Sequence, residues 1–230
     1  MRRIPSTVGE LDLRTATAIG LNGRRFFFTT TDDLDANGIP DHQELAPDSP
    51  VDLNQAGTPD VDQITELFKA LRTVVGEGQV GLATGAETAI RQVASLGPDQ
   101  FESHGEKPGR FLLGLIGFTV EVENPGDAAT LTVYPSEPAP EGYDWYKYEP
   151  CKGWYLFTGA DFSGDRKSVT ITIQDGGHGD FYAEPDSLVV DPGGVGCISY
   201  AEPSDGSEGS SSGGGGAGDC LVASMLPIQE

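Results

Sequence analysis

The chain has 230 residues, with 36 Asp and Glu against 14 Lys and Arg and a formal net charge of −22. So acidic a surface repels nucleic acid and anionic lipid and attracts divalent cations, which excludes a nucleic-acid-binding role. The length suffices for one good-sized β domain with appendages, or two small ones, and the longest apolar run, FLLGLIGFTV at residues 111–120, is too short to cross a bilayer.

Residues 1–31 hold short β-prone runs, TATAIGL and RRFFFTTT, on either side of Asn22-Gly23, a pair suited to a type I′ turn, and predict a hairpin. No apolar signal-peptide core follows Met1, Arg2 and Arg3, which sits against the extracellular reading developed below.

The acidic segment 32–63 contains DLDANGIPDHQE at residues 33–44. Counted as a twelve-residue loop, Asp33, Asp35, Asn37 and Asp41 fall at positions 1, 3, 5 and 9, the Ile39 carbonyl at 7 and Glu44 at 12. Gly38 at position 6 permits the sharp turn that lets a chain wrap one ion in hard oxygens. The spacing predicts a calcium site. Acidic residues with Gly and Pro also build ordinary solvated turns, but a full ligand set with its glycine is a more demanding coincidence. Pro40 at position 8 and the absence of an amphipathic helix before Asp33 argue against a true EF-hand. The segment resembles the extracellular calcium loops of thrombospondin type-3-like and dockerin-like repeats, D-x-D-x-N/D-G-I-P-D-x-x-E. A degenerate copy follows in DLNQAGTPDVDQ, where Asp52, Asn54, Gly57 and Asp60 repeat positions 1, 3, 6 and 9 while Ala56 and Gln63 replace ligands. Its metal affinity is expected to be weak or absent. Asp60 and Asp62 either complete a site shared with the first loop or belong to an acidic connector.

In ITELFKALRTVV, residues 64–75, the apolar positions Ile64, Leu67, Phe68, Leu71, Val74 and Val75 follow helical spacing and predict one short helix with a core-facing stripe. Beyond residue 76, GQVGLAT, TAIRQVASL, RFLLGLIGFTVEV, ATLTVYP, DWYKYEP, GWYLFTG, SVTITIQD and SLVVDPG are apolar or alternating runs separated by Gly, Pro and Asp. Regular short strands of this kind predict a mainly β fold, an antiparallel Ig-like β-sandwich over residues 64–200. In SVTITIQD, Val169, Ile171 and Ile173 should point inward and Ser168, Thr170 and Thr172 outward.

Carboxylates also gather late in the chain. Asp175, Asp180, Glu184, Asp186 and Asp191 surround Gly176, Gly177 and Gly179. Either this loop holds a second calcium, or Asp175 and Asp180 accept turn amides and Asp191 caps an Asp-Pro-Gly-Gly turn; the frequency of Asx turns favours the latter. Of the three cysteines, Cys151 and Cys197 both lie in the β region and are the pair expected to bridge in an oxidising compartment, although spacing alone does not show that they meet. No zinc-type spacing occurs, and His42, His104 and His178 sit in no recognisable nucleophile motif. Trp145, Tyr146, Tyr148, Trp154 and Tyr155 offer an aromatic platform for glycan, yet alternation puts Trp145 with Lys147 on one face and Tyr146 with Tyr148 on the other, so core packing accounts for at least half of them.

Over the same β region a family pattern is recognisable. GFTV at 117–120, YPSEPAP at 134–140, WYKY at 145–148, GWYLF at 153–157, DGGHGD at 175–180 and VVDPGG at 189–194 together resemble the bacterial choice-of-anchor U domain. The resemblance implies a domain from about residue 76, in surface or exported bacterial proteins, with no catalytic activity. It departs at FYAEPD, residues 181–186, where the family carries a more acidic segment. From residue 201 to 230 the Gly- and Ser-rich tail reads as a flexible linker ending in DCLVAS. That tail is similar in part to bacterial G-G-G-G-x-C-F-I-A-T-A motifs, which imply anchoring or processing at Cys220; no hydrophobic span or basic cluster completes it. The expected function is thus a non-catalytic, calcium-stabilised structural or adhesive module at the cell surface or outside the cell, engaging a surface protein or glycan. The alternatives are a carbohydrate-binding module and a glycan-active hydrolase.

Overall fold

The structure, a computed structural model, describes residues 39–76, 78–149 and 151–198. Its strands are β1 (Phe68–Arg72), β2 (Gln79–Thr84), β3 (Thr88–Leu96), β4 (Arg110–Phe111), β5 (Leu115–Val122), β6 (Ala128–Pro135), β7 (Asp144–Glu149), β8 (Gly153–Leu156), β9 (Ala160–Phe162), β10 (Val169–Gln174) and β11 (Leu188–Cys197). They form two antiparallel sheets, one ordered β1-β2-β6-β10-β9 and the other β3-β5-β11-β7-β8, with β4 also on β11. The mainly β sandwich expected from the sequence is the fold. The predicted hairpin around Asn22-Gly23 and the tail with Cys220 lie outside the described residues.

Alternation builds the core. Val169, Ile171 and Ile173 of β10 are buried with Ala129, Leu131 and Val133 of β6, against Phe118, Val120 and Val122 of β5 and Val189 and Val195 of β11. Thr170 and Thr172 point outward, and their hydroxyls meet those of Thr132 and Thr130 across the strand pair. The outer face of the second sheet is covered too, since Ala94, Leu96, Leu115, Tyr148 and Trp154 pack with Phe101 from the loop after β3. On the first sheet, Leu45 covers Phe68 and Ala70, while Ile39 inserts its side chain into the main core. The acidic segment therefore shares the sandwich's apolar core from residue 39 onward.

The helix predicted over residues 64–75 is not formed. Residues 68–72 are instead β1, paired with β2 from Phe68↔Ala83 to Arg72↔Gln79, and Thr73 N–H closes the hairpin on the Gly78 carbonyl at 3.0 Å. A helix this short is marginal in water and depends on tertiary packing, and here packing rewards a strand buried on both faces. Leu71 points into the core and Phe68 and Ala70 point the other way, a pattern that periodicity cannot separate from a helical stripe. The stripe does not survive: Leu71 is 0 % exposed, but Leu67 and Val74 are 41 % and 51 % exposed.

Strand β11 carries Pro192 in its middle, where a proline would normally break a ladder. Val190, two residues earlier, turns its N–H and carbonyl away from β5, to the Asp180 carboxylate and the Phe181 amide. Pro192 has the same parity, so its missing N–H falls on that side, before the β7 ladder begins at Gly193↔Lys147. The Asp-Pro-Gly-Gly sequence is thus strand, not the turn expected.

The strand assignment of residues 68–72 separates three leucine and valine positions that a helix would treat alike. Leu71→Ala should cost about 2–5 kcal/mol, whereas Leu67→Ala and Val74→Ala should each stay within about 0.5 kcal/mol. Urea unfolding midpoints at constant slope provide the comparison.

Candidate functional site

Of the first calcium loop, Asp33, Asp35 and Asn37 lie outside the described residues. The Ile39 side chain is buried, and Asp41 and Glu44 are half-buried at either end of a 3-10 turn, Asp41–Gln43, that follows Pro40. Gln43 between them holds the turn to the sandwich: its side-chain amide accepts from Ser95 N–H at 3.3 Å and donates to the Ser95 carbonyl at 3.5 Å.

The second loop repeats this local structure. Pro59, with φ −55° and ψ 143°, precedes the 3-10 turn Asp60–Asp62, as Pro40, with φ −58° and ψ 136°, precedes Asp41–Gln43. Gln43 N–H donates to the Pro40 carbonyl and Asp62 N–H to the Pro59 carbonyl, at 2.7 and 3.0 Å. The loop closes on itself through side chains. The Asp52 carboxylate accepts Ala56 and Gly57 N–H at 2.9 and 2.8 Å, and Asp60 accepts Leu53 N–H at 3.1 Å. Asn54 and Gln63, at positions 3 and 12, pair reciprocally through their amides at 2.9 and 3.3 Å. Asp60 is fully buried; desolvation, and to a lesser degree the charge of Asp52, push its carboxyl up to about 6 against the pull of the Leu53 amide. Asp62 is exposed.

The late carboxylates serve the backbone. Asp175 accepts amides from Gly126 and Ser187 at 2.8 Å and from Asp186 at 3.2 Å, tying the β5–β6 turn to the entry of β11. Asp180 accepts Gly176, Val190 and Tyr182 N–H at 2.8, 3.0 and 3.3 Å. Burial lifts Asp180 to about 6 even against these three donors. Asp191 caps no turn; it lies in β11 as a fully buried partner of Lys147. Among the described residues, no group of three or more His, Cys, Asp or Glu side chains is arranged to hold a metal ion.

The Cys151–Cys197 bridge is not made. Cys151 is a free, exposed thiol in the β7–β8 turn, and Cys197, which is disulfide-bonded, is buried at the end of β11. Register explains the separation. Gly196 pairs with Asp144 at the start of β7, whereas Cys151 follows the end of β7 at Glu149. Six strand residues span roughly 20 Å, and a disulfide needs Cα atoms within about 7 Å.

The aromatic platform is not formed either. Trp145, Tyr146, Tyr148 and Trp154 are all buried, and only Tyr155 of the five keeps partial exposure. Trp154 donates Nε1–H to the Glu102 carbonyl at 2.7 Å and packs with Phe101, Phe111 and Tyr148 as part of the sheet's covered outer face. An open groove of about 590 Å³ lies between the β2–β3 and β5–β6 turns, with Glu87, Glu123 and Asp127 in its lining. No helix of the described residues is long and apolar enough to span a membrane.

Sequence reasoning did not identify the Lys147–Asp191 pair. The signal was present in the inward parity that Lys147 shares with Trp145. No protein-family model, curated protein or solved structure matches the chain.

Two outcomes follow from the carboxylates. Asp175→Ala orphans three amides and should cost at least about 3 kcal/mol, equally in calcium and in chelator. The raised carboxyl of Asp60 means that the folded chain keeps a proton between about pH 4 and about pH 6 that the unfolded chain has released. Its contribution to stability is present below that window and lost as pH rises through it. In chelator, Asp60→Asn should therefore show a shallower fall in unfolding free energy across the window than wild type.

Proposed function

We propose that the protein is a calcium-stabilised, non-catalytic structural or adhesive module of an extracellular or cell-surface protein. The observation that carries this reading is the comparison of the two loops at positions 3 and 12. In the second loop those positions are Asn54 and Gln63, and neutral amides hold each other without an ion. In the first they are Asp35 and Glu44. Two carboxylates brought to the same separation repel unless a cation stands between them, and calcium takes oxygen ligands in a flexible geometry with a bidentate Glu at position 12. Asp33, Asp35, Asn37, Asp41, Glu44 and the Ile39 carbonyl would hold it. The ion's contribution there is charge neutralisation and loop closure.

The mechanical consequence follows from Ile39 and Gln43. Ile39 anchors the loop's second half in the core and Gln43 anchors it to β3, so an ion ordering the loop would also tie this segment to the sandwich. An extracellular setting suits the millimolar calcium that weak surface modules use. The likeness to extracellular calcium repeats and to the choice-of-anchor U pattern supports a surface role, and burial of four of the five aromatics weighs against the carbohydrate-binding alternative.

The test is the thermal unfolding midpoint of the intact chain and of Asp35→Ala in millimolar calcium and in chelator. A ligand at a hundredfold excess over its dissociation constant that binds only the folded state adds about 2.7 kcal/mol. Wild type should gain a calcium-dependent rise that the variant lacks; equal midpoints with and without calcium would sink the reading.

A further inference from the structure

Between the two sheets a buried lysine faces a buried aspartate. Lys147 on β7 and Asp191 on the adjacent β11 are each 1 % exposed, with Nζ 3.1 Å from Oδ2. The Phe157 ring lies 4.1 Å from Nζ, and Tyr155 stands opposite Lys147 on β8. Trp145 lies across Gly193, where a Cβ would come within 2.5 Å of the indole nitrogen. The lysine nitrogen is fixed from its other side by the Gly179 carbonyl at 2.6 Å. Gly179 has φ +96°, and a Cβ there would come within 2.9 Å of Nζ and 2.6 Å of the Phe157 ring, so glycine permits this approach.

The aspartate is poorly held for a buried anion. Asp175 and Asp180 each receive three backbone amides. Beyond the lysine contact neither oxygen of Asp191 has a hydrogen-bond partner, and the buried Trp145 Nε1–H has no acceptor. A buried ammonium–carboxylate contact with so few supporting donors is an unfavourable way to bury two charges.

We propose that Lys147 and Asp191 condense into an intramolecular amide bond that staples β7 to β11. In water the reaction is blocked because an ammonium has no lone pair and a carboxylate is a weak electrophile. Burial favours the neutral forms of both groups: desolvation lowers Lys147, and it raises Asp191 to about 6 against the opposing pull of the lysine charge. A proton passing from Nζ to Oδ2 within the contact leaves an amine facing a carboxylic acid, held in reacting proximity by two strands of one sheet.

The nitrogen lone pair then adds to Cγ, a second Nζ proton moves to a carboxyl oxygen, and the C–O bond breaks with release of one water. Ammonium and carboxylate become an amide and water, with atoms and charge balanced and no co-reactant. The product fits the site better than the ion pair does. Its single amide N–H retains the Gly179 acceptor, both buried charges vanish, and a neutral carbonyl remains on the face where Trp145 Nε1–H lacks a partner. The proposal is independent of the calcium reading, since none of these groups belongs to the loops of residues 33–63.

Mass spectrometry of the reduced, full-length chain tests it. The wild type should be lighter than its sequence by one water, and digestion should release a single branched peptide joining Lys147 to Asp191. Lys147→Arg and Asp191→Ala should restore the full mass, while Asp191→Asn should lose ammonia in place of water and arrive at the wild-type mass. Separate, unmodified peptides containing Lys147 and Asp191 from the wild-type chain would overturn the proposal whether or not the variants fold. A water loss that persists in Lys147→Arg would overturn it as well, by pointing to a cyclised Asp-Gly step such as Asp175-Gly176.

Discussion

Carboxylates outnumber cationic side chains in this protein by 36 to 14, so those drawn into the fold must find partners in the backbone. Asp175 and Asp180 do so completely, each engaging three amides that would otherwise be left unpaired. Much of one end of the sandwich follows from these clamps. Asp175 binds the β5–β6 turn to the residues entering β11, and Asp180 binds the loop before β11 to the strand itself through Val190. The clamp at Asp180 also positions its neighbour Gly179, whose carbonyl reaches the lysine buried between the sheets. In this loop, rich in glycine and acid, the carboxylates of Asp175 and Asp180 hold the backbone together.

Strand β11 is where these supports converge. It lies between β5 and β7 in the second sheet, and each residue of its Asp-Pro-Gly-Gly sequence answers a separate steric or electrostatic demand. Asp191 faces Lys147, Pro192 places its missing N–H where no ladder partner waits, and Gly193 makes room for the Trp145 indole. Gly194 allows the Gly114 carbonyl to approach, at a point where Gly114 itself adopts φ +76° between β4 and β5. A side chain at Gly193 would collide with the Trp145 indole, and one at Gly194 with the Gly114 carbonyl and Leu115.

The sequence exposed the sandwich where one face of a strand is polar. SVTITIQD reads correctly because Thr170 and Thr172 mark the outside, and TAIRQVASL matches β3 from end to end. It misled where both faces are buried, because residues 68–71, Lys69 among them, then lack the exposed polar face that distinguishes a strand from a helix. The short β9 was missed for want of any run long enough to show a period. Among site residues, the hydrogen-bonding roles of Asp175 and Asp180 were one of two readings that spacing left open. The Lys147–Asp191 contact was hidden because residues 44 positions apart in sequence meet only through the β7–β11 register, which the sequence does not specify. The same register is what separates Cys151 from Cys197.

A buried ion pair is weak evidence of stability: replacing one with well-packed apolar residues is often neutral or stabilising, while leaving one partner unpaired is costly. The site around Lys147 is otherwise built for apolar packing, with Phe157 and Trp145 against the pair. Methionine and leucine in place of lysine and aspartate would fill comparable space without desolvating two charges. The arrangement makes physical sense if the two groups are there for their reactivity. Desolvation that favours the neutral forms, enforced proximity and a single acceptor for the nitrogen are poor features for an ion pair and good ones for amide formation. A covalent link between neighbouring strands would also resist the separation of β7 from β11 more strongly than their ladder of backbone hydrogen bonds, and would not depend on the ionic environment. That independence would complement the proposed calcium loop, whose order would follow cation supply. The two devices would act by different chemistry, and the covalent one would persist when calcium is withdrawn.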